Sequence, residues 1–541
     1  MPENFTQLFK QSFSDLDSAV SSWKKLTEAL GKTQTGSGKR VTGPLHKAGW
    51  SGVSATYGFE AMEATESKLG TAQLDAQLIT TTLDTLHTKM QAAQRKLRNA
   101  VADAEAAGHR VREDGWVEPK QAVDPKYHND PDYEGLQKQA NTGLGGFRAR
   151  IDEALTDAET ASYQAAEILY QIDPFDLDKR YGAANAQEDA ARVAEFAGIS
   201  AKDIPDGKDS RRTADWWAGL DAEKQHFYLA AFPGQLGTLD GLPATTRDHA
   251  NRTLLDMRLN DYAQRENGLG YHDRSSYQSL SALKDRLDKM DTAPSSKQLY
   301  LLGFSTEKDG RAIVAVGNPD TAKHTAVQVP GTSNQLDNVG SQIDRVEKLQ
   351  DAAAGWNGAK GPADISVISW LDYNAPEANF TPTDPELNLA IATDGRAKDG
   401  AEDLREFTHG LRAAHEGERG HLTVLAHSYG STTAGAADAG GRGLDADDMV
   451  VVGSPGLTVD RADQLHVDPK RLWVGAADDD QVSNLTSDLT LGADPKKSEF
   501  GAQRMYVDTQ GHGGYWNDGS QSLENMGAII TGQQPGAGAS P

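Results

Sequence analysis

The sequence predicts an α/β protein: a mostly parallel sheet of about eight strands behind a large all-α amino-terminal region that opens with a long helical hairpin. Three observations carry that prediction. Apolar residues keep a three-and-four spacing through the first hundred positions. After Ser295 the pattern switches to short β-rich runs separated by helix-length connections. One of those runs enters a small-x-Ser-x-Gly turn and leaves as a helix rich in small residues.

The first apolar stripe comprises Phe5, Phe9, Phe13, Leu16, Val20, Trp23, Leu26 and Leu30, one face of a helix of about eight turns that is expected to end at Gly31. A Gly/Ser/Thr-rich loop follows to Pro44. A second stripe, Ile79, Leu83, Leu86, Met90, Leu97 and Val101, predicts a longer helix to about Ala107. Two such helices bury their stripes against each other or against a partner. The Pro- and Asp-rich stretch 115–132 reads as a connector, 136–172 as a further helix, and 177–295 as helices broken by short loops, with Thr213 as an N-cap before the core pair Trp216-Trp217. The expected domains are therefore 1–115, 116–295 and 296–531, with a low-complexity tail at 532–541 too poor in apolar side chains to stay ordered.

The β-rich runs lie at 298–304, 312–316, 326–329, 365–371, 422–426, 449–452, 471–475 and 505–507. Near-continuous apolar strands joined by crossovers indicate a largely parallel sheet covered on both faces. Eight strands is the count of the α/β-hydrolase sheet.

Composition narrows the function. In 541 residues, 54 Lys plus Arg against 79 Asp plus Glu give a net charge of −25, which disfavours nucleic acid as a partner. The absence of cysteine removes disulfides, thiolate metal sites and cysteine nucleophiles together. No His-x-x-x-His or His-Glu-x-x-His spacing suggests zinc, so neither a metal nor a cofactor is expected. A mean hydropathy of −0.60, with no apolar run of spanning length and no basic-then-apolar start, predicts a chain without stable membrane insertion or a classical signal peptide.

The chemistry is expected on three loops. The segment Ala426-His427-Ser428-Tyr429-Gly430 follows a strand and opens a helix, the context a nucleophile elbow requires, with Ser428 as the nucleophile. The run Asp478-Asp479-Asp480 ends a later strand and His512 follows the last one, which gives the order nucleophile, acid, base. Asp480 is preferred as the acid and Asp478 is the alternative; the base is His512. The amide of Tyr429 would supply one oxyanion donor and that of Thr332, after Val329-Pro330-Gly331, the other. His427 is placed under the elbow or along the site, Gly331 permits close backbone approach, and Tyr373 in Trp370-Leu371-Asp372-Tyr373-Asn374 is expected on a pocket wall. His409, His415, His421 and His466 read as surface or helix residues.

Together with Val452-Gly453-Ser454-Pro455-Gly456 and the helical segments around Trp216-Trp217 and Arg247-Asp248-His249-Ala250-Asn251, these motifs resemble an actinobacterial α/β-hydrolase domain family over roughly residues 210–530. The resemblance implies a Ser-Asp/Glu-His hydrolase behind a helical module, without supplying a substrate. Trp50-Ser51-Gly52 in the hairpin loop resembles the ESX-type Trp-x-Gly hairpins of type VII secretion, whose export tag has the form Tyr-x-x-x-Asp/Glu; Tyr163…Glu167 and Tyr262…Glu266 both satisfy it. The expected activity is cleavage of small-molecule or lipid-derived acyl esters through an acyl-enzyme, with amidase or peptidase chemistry open to the same triad. The competing expectation is a silent or gated hydrolase fold serving as a secretion-linked binding or effector protein, its hairpin pairing with a partner hairpin or a second copy. Location is expected to be cytoplasmic, or secreted by the type VII route.

Overall fold

The computed structural model describes residues 2–37, 53–119, 123–172, 183–265, 268–291, 293–356, 361–377, 393–484 and 491–536. Trp50-Ser51-Gly52 and Glu266 lie outside the described residues, as does the second half of the expected tail. The chain divides into two compact units, Met1–Ser200 and Ala201–Pro541. The boundary expected at 295 falls inside the second unit, because the helices of 210–291 pack on the sheet that follows them.

In the first unit, helices α1 (Pro2–Lys10) and α2 (Ser14–Ser37) pack on the 54-residue α3 (Val53–Ala106), as does α4 (Leu144–Gln171). The stripes are buried in part within this unit: Phe5 and Val20 of the first, with the neighbouring Leu8, and Ile79, Leu97 and Val101 of the second, while Leu26 is exposed. The single helix expected over the first stripe is broken at 11–13 and continues past Gly31. The break has a distant cause. Gln94 Nε2 donates to the carbonyls of Leu8 (2.7 Å) and Gln11 (2.9 Å), and Arg98 to that of Phe9 (2.9 Å), so α3 satisfies the final carbonyls of α1 in place of a further turn. Within the expected connector, β1 (Arg110–Val111) and β2 (Val117–Glu118) form a two-stranded antiparallel hairpin.

The second unit is built on an eight-stranded sheet in which β3 (Leu299–Ser305), β4 (Arg311–Val316), β5 (His324–Val329), β6 (Ile365–Leu371), β7 (His421–His427), β8 (Asp448–Val452), β9 (Leu472–Gly475) and β10 (Gln503–Arg504) take the order β10-β9-β8-β7-β5-β6-β4-β3. The β3–β4 and β4–β6 pairs are antiparallel and the others parallel. This is the α/β-hydrolase fold. All seven residues of β6 are buried, as a central strand covered on both faces requires. The last strand forms two residues before its expected place, and the Met505 amide extends the pairing to the Val474 carbonyl at 2.9 Å.

Helices cover both faces. One core joins Val314, Val346, Leu349 and Ile529; the other joins Ile313, Ile368, Trp370 and Phe407. The helix over Ala244–Gln264 is fastened to β3 by polar groups: Asn251 Nδ2 donates to the Leu301 carbonyl (3.0 Å) and Asp248 accepts from the Leu301 amide (2.7 Å). The preceding helix, Ser210–Ala218, is capped by Asp209, whose carboxylate accepts from the amides of Arg211 and Arg212; Thr213, expected as the cap, lies inside it. Register then sets the site. Val329 pairs with Ala426, His427 with Val452, and Val452 with Gly475, so the loops leaving β5, β7, β8 and β9 open side by side at the carboxyl edge.

Candidate active site

Ser428 follows β7 and heads the helix α5 (Tyr429–Ala439) with φ 55° and ψ −134°, a conformation an L-residue adopts only under constraint. The constraint comes from both sides. Its amide donates to the Val452 carbonyl (3.1 Å), and its carbonyl accepts from the Ser431 amide (2.9 Å) and hydroxyl (2.6 Å), the latter hydrogen-bonded in turn to Ser454. The turn is tight enough that a Cβ on Gly430 would stand 2.3 Å from the Val329 carbonyl oxygen. A strand-to-helix turn this sharp needs a residue without a side chain there.

Beside it runs the 330–333 loop. A Cβ on Gly331 would lie 2.6 Å from Ser428 Cβ and 3.1 Å from Ser428 Oγ, so the loop backbone rests against the serine side chain. Three successive carbonyls of the loop are held from outside: Pro330 by the Tyr373 hydroxyl (2.6 Å), and Gly331 and Thr332 by Asn334 Nδ2 (2.9 and 3.1 Å). Across a trans peptide the Thr332 amide points opposite to the Gly331 carbonyl, away from Asn334. Tyr373 is therefore not a wall residue. It is buried beneath the loop, and its hydroxyl is committed to Pro330.

Of the three aspartates, Asp480 meets the histidine. His512 Nδ1 lies 2.9 Å from both carboxylate oxygens of Asp480, while Asp478 is exposed. Because the partner is a carboxylate, Nδ1 carries a proton and donates, so that in the neutral tautomer Nε2 is the lone-pair nitrogen. Nε2 is buried and makes no hydrogen bond among the described residues, the one to Ser428 included. Asp480 is fully buried and accepts further from the Tyr515 hydroxyl (2.5 Å) and the amides of Val482 (2.9 Å) and Ser483 (3.3 Å). Burial alone would raise its pKa, but the hydrogen bonds from His512 and Tyr515 outweigh it and hold the carboxyl at about 2.

His427 packs against His512. Its Nε2 donates to the His512 carbonyl at 2.8 Å, and its ring packs 4.6 Å from the His512 ring and edge-on to Trp516 at 5.0 Å. Burial, with His512 and Arg345 nearby, pushes its pKa down to about 3, so the imidazole stays neutral. His409, His415, His421 and His466 have structural partners: His421 lies 3.1 Å from Asp448, His409 bonds the Gly443 carbonyl, His415 that of Glu418 and His466 that of Asp438.

Tyr515 is the contact that sequence reading missed. Its only local signal is position, three residues after His512 in a Gly-rich turn, and nothing there says that its hydroxyl returns to the acid. A separate cleft of about 710 Å³, lined by acids that include Asp240, Asp372, Glu402, Asp403 and Glu406, contains none of the groups above. Among the described residues no cluster of three or more His, Asp or Glu side chains is arranged to hold a metal, and no helix is long and apolar enough to cross a membrane.

The alpha/beta hydrolase family model matches residues 306–490, a span that takes in Ser428 and Asp480 and ends before His512. Among curated relatives, an uncharacterized protein of Mycobacterium tuberculosis (strain H37Rv) is 33% identical over 382 residues, covering 61% of this chain and 56% of the relative. An uncharacterized protein of Mycobacterium bovis is 26% identical over 250 residues, 45% of this chain and 87% of the relative. The chain thus spans little more than half the length of the first of these. No solved structure matches the chain.

Proposed function

We propose that this protein is a serine hydrolase that cleaves carboxylic esters through an acyl-enzyme. The observation that carries the reading is the Asp480–His512 pair, which fixes the tautomer with Nε2 as base, beside a serine held at φ 55° against the Gly331 backbone. Ser428 Oγ attacks the ester carbonyl carbon as His512 Nε2 takes its proton. The tetrahedral oxyanion is held by the amide of Tyr429, which has no intrahelical acceptor at a helix start, and by that of Thr332. Collapse expels the alcohol, which receives the proton from His512. Water then repeats the sequence, releasing the acid and restoring Ser428. The helix dipole of α5 adds favourable potential at the same point.

Turnover of a p-nitrophenyl ester series from acetyl to palmitoyl tests this, run beside Ser428→Ala and His512→Ala. Hydrolysis with a chain-length optimum, lost by a factor of 1,000 or more in both variants, is the result expected from about that loss at other triads. Folded wild-type protein that turns over no member of the series contradicts it.

A further inference from the structure

Arg345 stands out on electrostatic grounds. It lies on the helix Val339–Ala354, which follows the 330–333 loop, is half-buried, and makes neither a hydrogen bond nor an ion pair with any carboxylate among the described residues. Arg247, Arg252, Arg286 and Arg412 of the same unit are paired with Asp240, Asp248, Glu347 and Asp447, and the half-buried Arg396 and Arg405 donate to the backbone carbonyls of Asn374 and Ala437, whereas Arg345 has neither kind of partner among the described residues. Taking a guanidinium partly out of water without a counter-ion costs free energy, and the cost is recovered when an anion arrives.

Its surroundings point to the catalytic edge. The guanidinium lies over the Trp516 ring at 4.7 Å, Trp516 meets the edge of His427 at 5.0 Å, and His427 stacks on His512 at 4.6 Å. Stacking holds the planar fork in one orientation while leaving its N–H donors available, the arrangement that suits bidentate capture of a carboxylate. Two neighbours have buried polar atoms without partners among the described residues: Gln342 Oε1, one turn back on the same helix, and Trp516 Nε1. Burial also pushes the Arg345 pKa down, with no carboxylate acting against it.

We propose that Arg345 is an anion subsite of the Ser428 site and that the substrate is an ester of a dicarboxylic acid, its free carboxylate on Arg345 and its ester carbonyl at Ser428. This rests on the serine-hydrolase reading. With Arg345 supplying the counter-charge, the overall charge of −25 does not bar such a substrate, since long-range repulsion is screened over about 8 Å at physiological salt.

The test compares p-nitrophenyl hydrogen glutarate with p-nitrophenyl valerate, a neutral ester of equal chain length, in wild type, Arg345→Gln and Arg345→Lys. A fluorophosphonate probe reports separately whether Ser428 is reactive. The ratio of kcat/KM for the anionic over the neutral ester is expected to fall about 10- to 100-fold in Arg345→Gln, mainly through KM, and less in Arg345→Lys, as loss of a charge-assisted pair implies. Free glutarate should slow labelling of the wild type more than valeramide does, a measurement that needs no variant to fold. Labelled wild type with an unchanged ratio, or without glutarate protection, overturns the anion subsite and leaves the hydrolase reading intact. Absence of labelling removes the hydrolase reading itself.

Discussion

Replacing Tyr515 by Phe removes one oxygen from a fully buried ring and leaves the ring contacts with His427 and Trp516 in place. That oxygen makes two hydrogen bonds: it donates to Asp480 Oδ2 at 2.5 Å and accepts from the Ala477 amide at 3.2 Å. A hydrogen bond to a charged group contributes about 1.5–3 kcal/mol, and an orphaned buried amide costs about 1–3 kcal/mol, with the long Ala477 bond at the low end. The expected loss at pH 7 is therefore about 2–5 kcal/mol. Its pH dependence has a definite sign. The Asp480 carboxyl lies at about 2 when folded against about 3.9 unfolded, so its contribution is fully present above about pH 5 and is lost as pH falls through 2. Tyr515→Phe moves the folded value up, so the gap between wild type and variant stays constant from pH 7 to 5 and narrows toward pH 2, retaining the Ala477 part. Urea unfolding by tryptophan fluorescence at pH 7, 5, 4 and 3 measures this. A gap below about 0.5 kcal/mol at pH 7, smaller than an ordinary hydrogen bond, or one that widens on acidification, refutes the reasoning.

The other predictions concern the same edge of the sheet. Gly331→Ala puts a methyl 2.6 Å from Ser428 Cβ and 2.9 Å from the His427 carbonyl oxygen; the forced shift should slow acylation about 100-fold while costing about 1–3 kcal/mol of stability, read by stopped-flow and by urea melts. Asp480→Asn should lower kcat by about three to four orders of magnitude by removing the acceptor that fixes the tautomer, whereas Asp478→Asn should stay within about two-fold; the reverse ranking would reassign the acid. The His427 imidazole, held neutral down to about pH 3 when folded, makes the unfolded chain bind more protons below pH 6.5. Stability should therefore decline by up to about 1.4 kcal/mol per unit as pH drops from 6.5 toward 3, and His427→Asn should flatten that slope in urea midpoints; an unchanged slope contradicts the assignment.

Parts of this site were legible in the sequence because they are local. The elbow is written in five consecutive residues, and its glycine is needed for a contact with Val329, the strand end that the same periodicity locates. The runs over β3 to β9 stood out because each is a compact apolar stretch between polar connections. What escaped depends on contacts between distant segments. Three aspartates in a row look alike until His512 arrives 32 positions later, and only Asp480 is turned inward to meet it. Tyr373 looked like a wall because it follows a strand, yet its hydroxyl is drawn to Pro330 from 43 positions away. The first helix keeps its stripe through Phe13, so the break before Ser14 has no local signal; Gln94 and Arg98 impose it. The switch from helical to β-rich composition near 295 marked a change of element type within one unit, because Asn251 and Asp248 tie the preceding helix to β3.

The central claim is that Ser428 is an activated nucleophile whose base is held by Asp480. Fluorophosphonate labelling of the full chain, with the adduct mapped by peptide mass spectrometry, tests it most directly. One adduct is expected, on the peptide carrying Ser428, absent in Ser428→Ala and formed far more slowly in His512→Ala and Asp480→Asn. Folded wild-type protein with no adduct at Ser428, or labelling that proceeds at the same rate without His512, would contradict it.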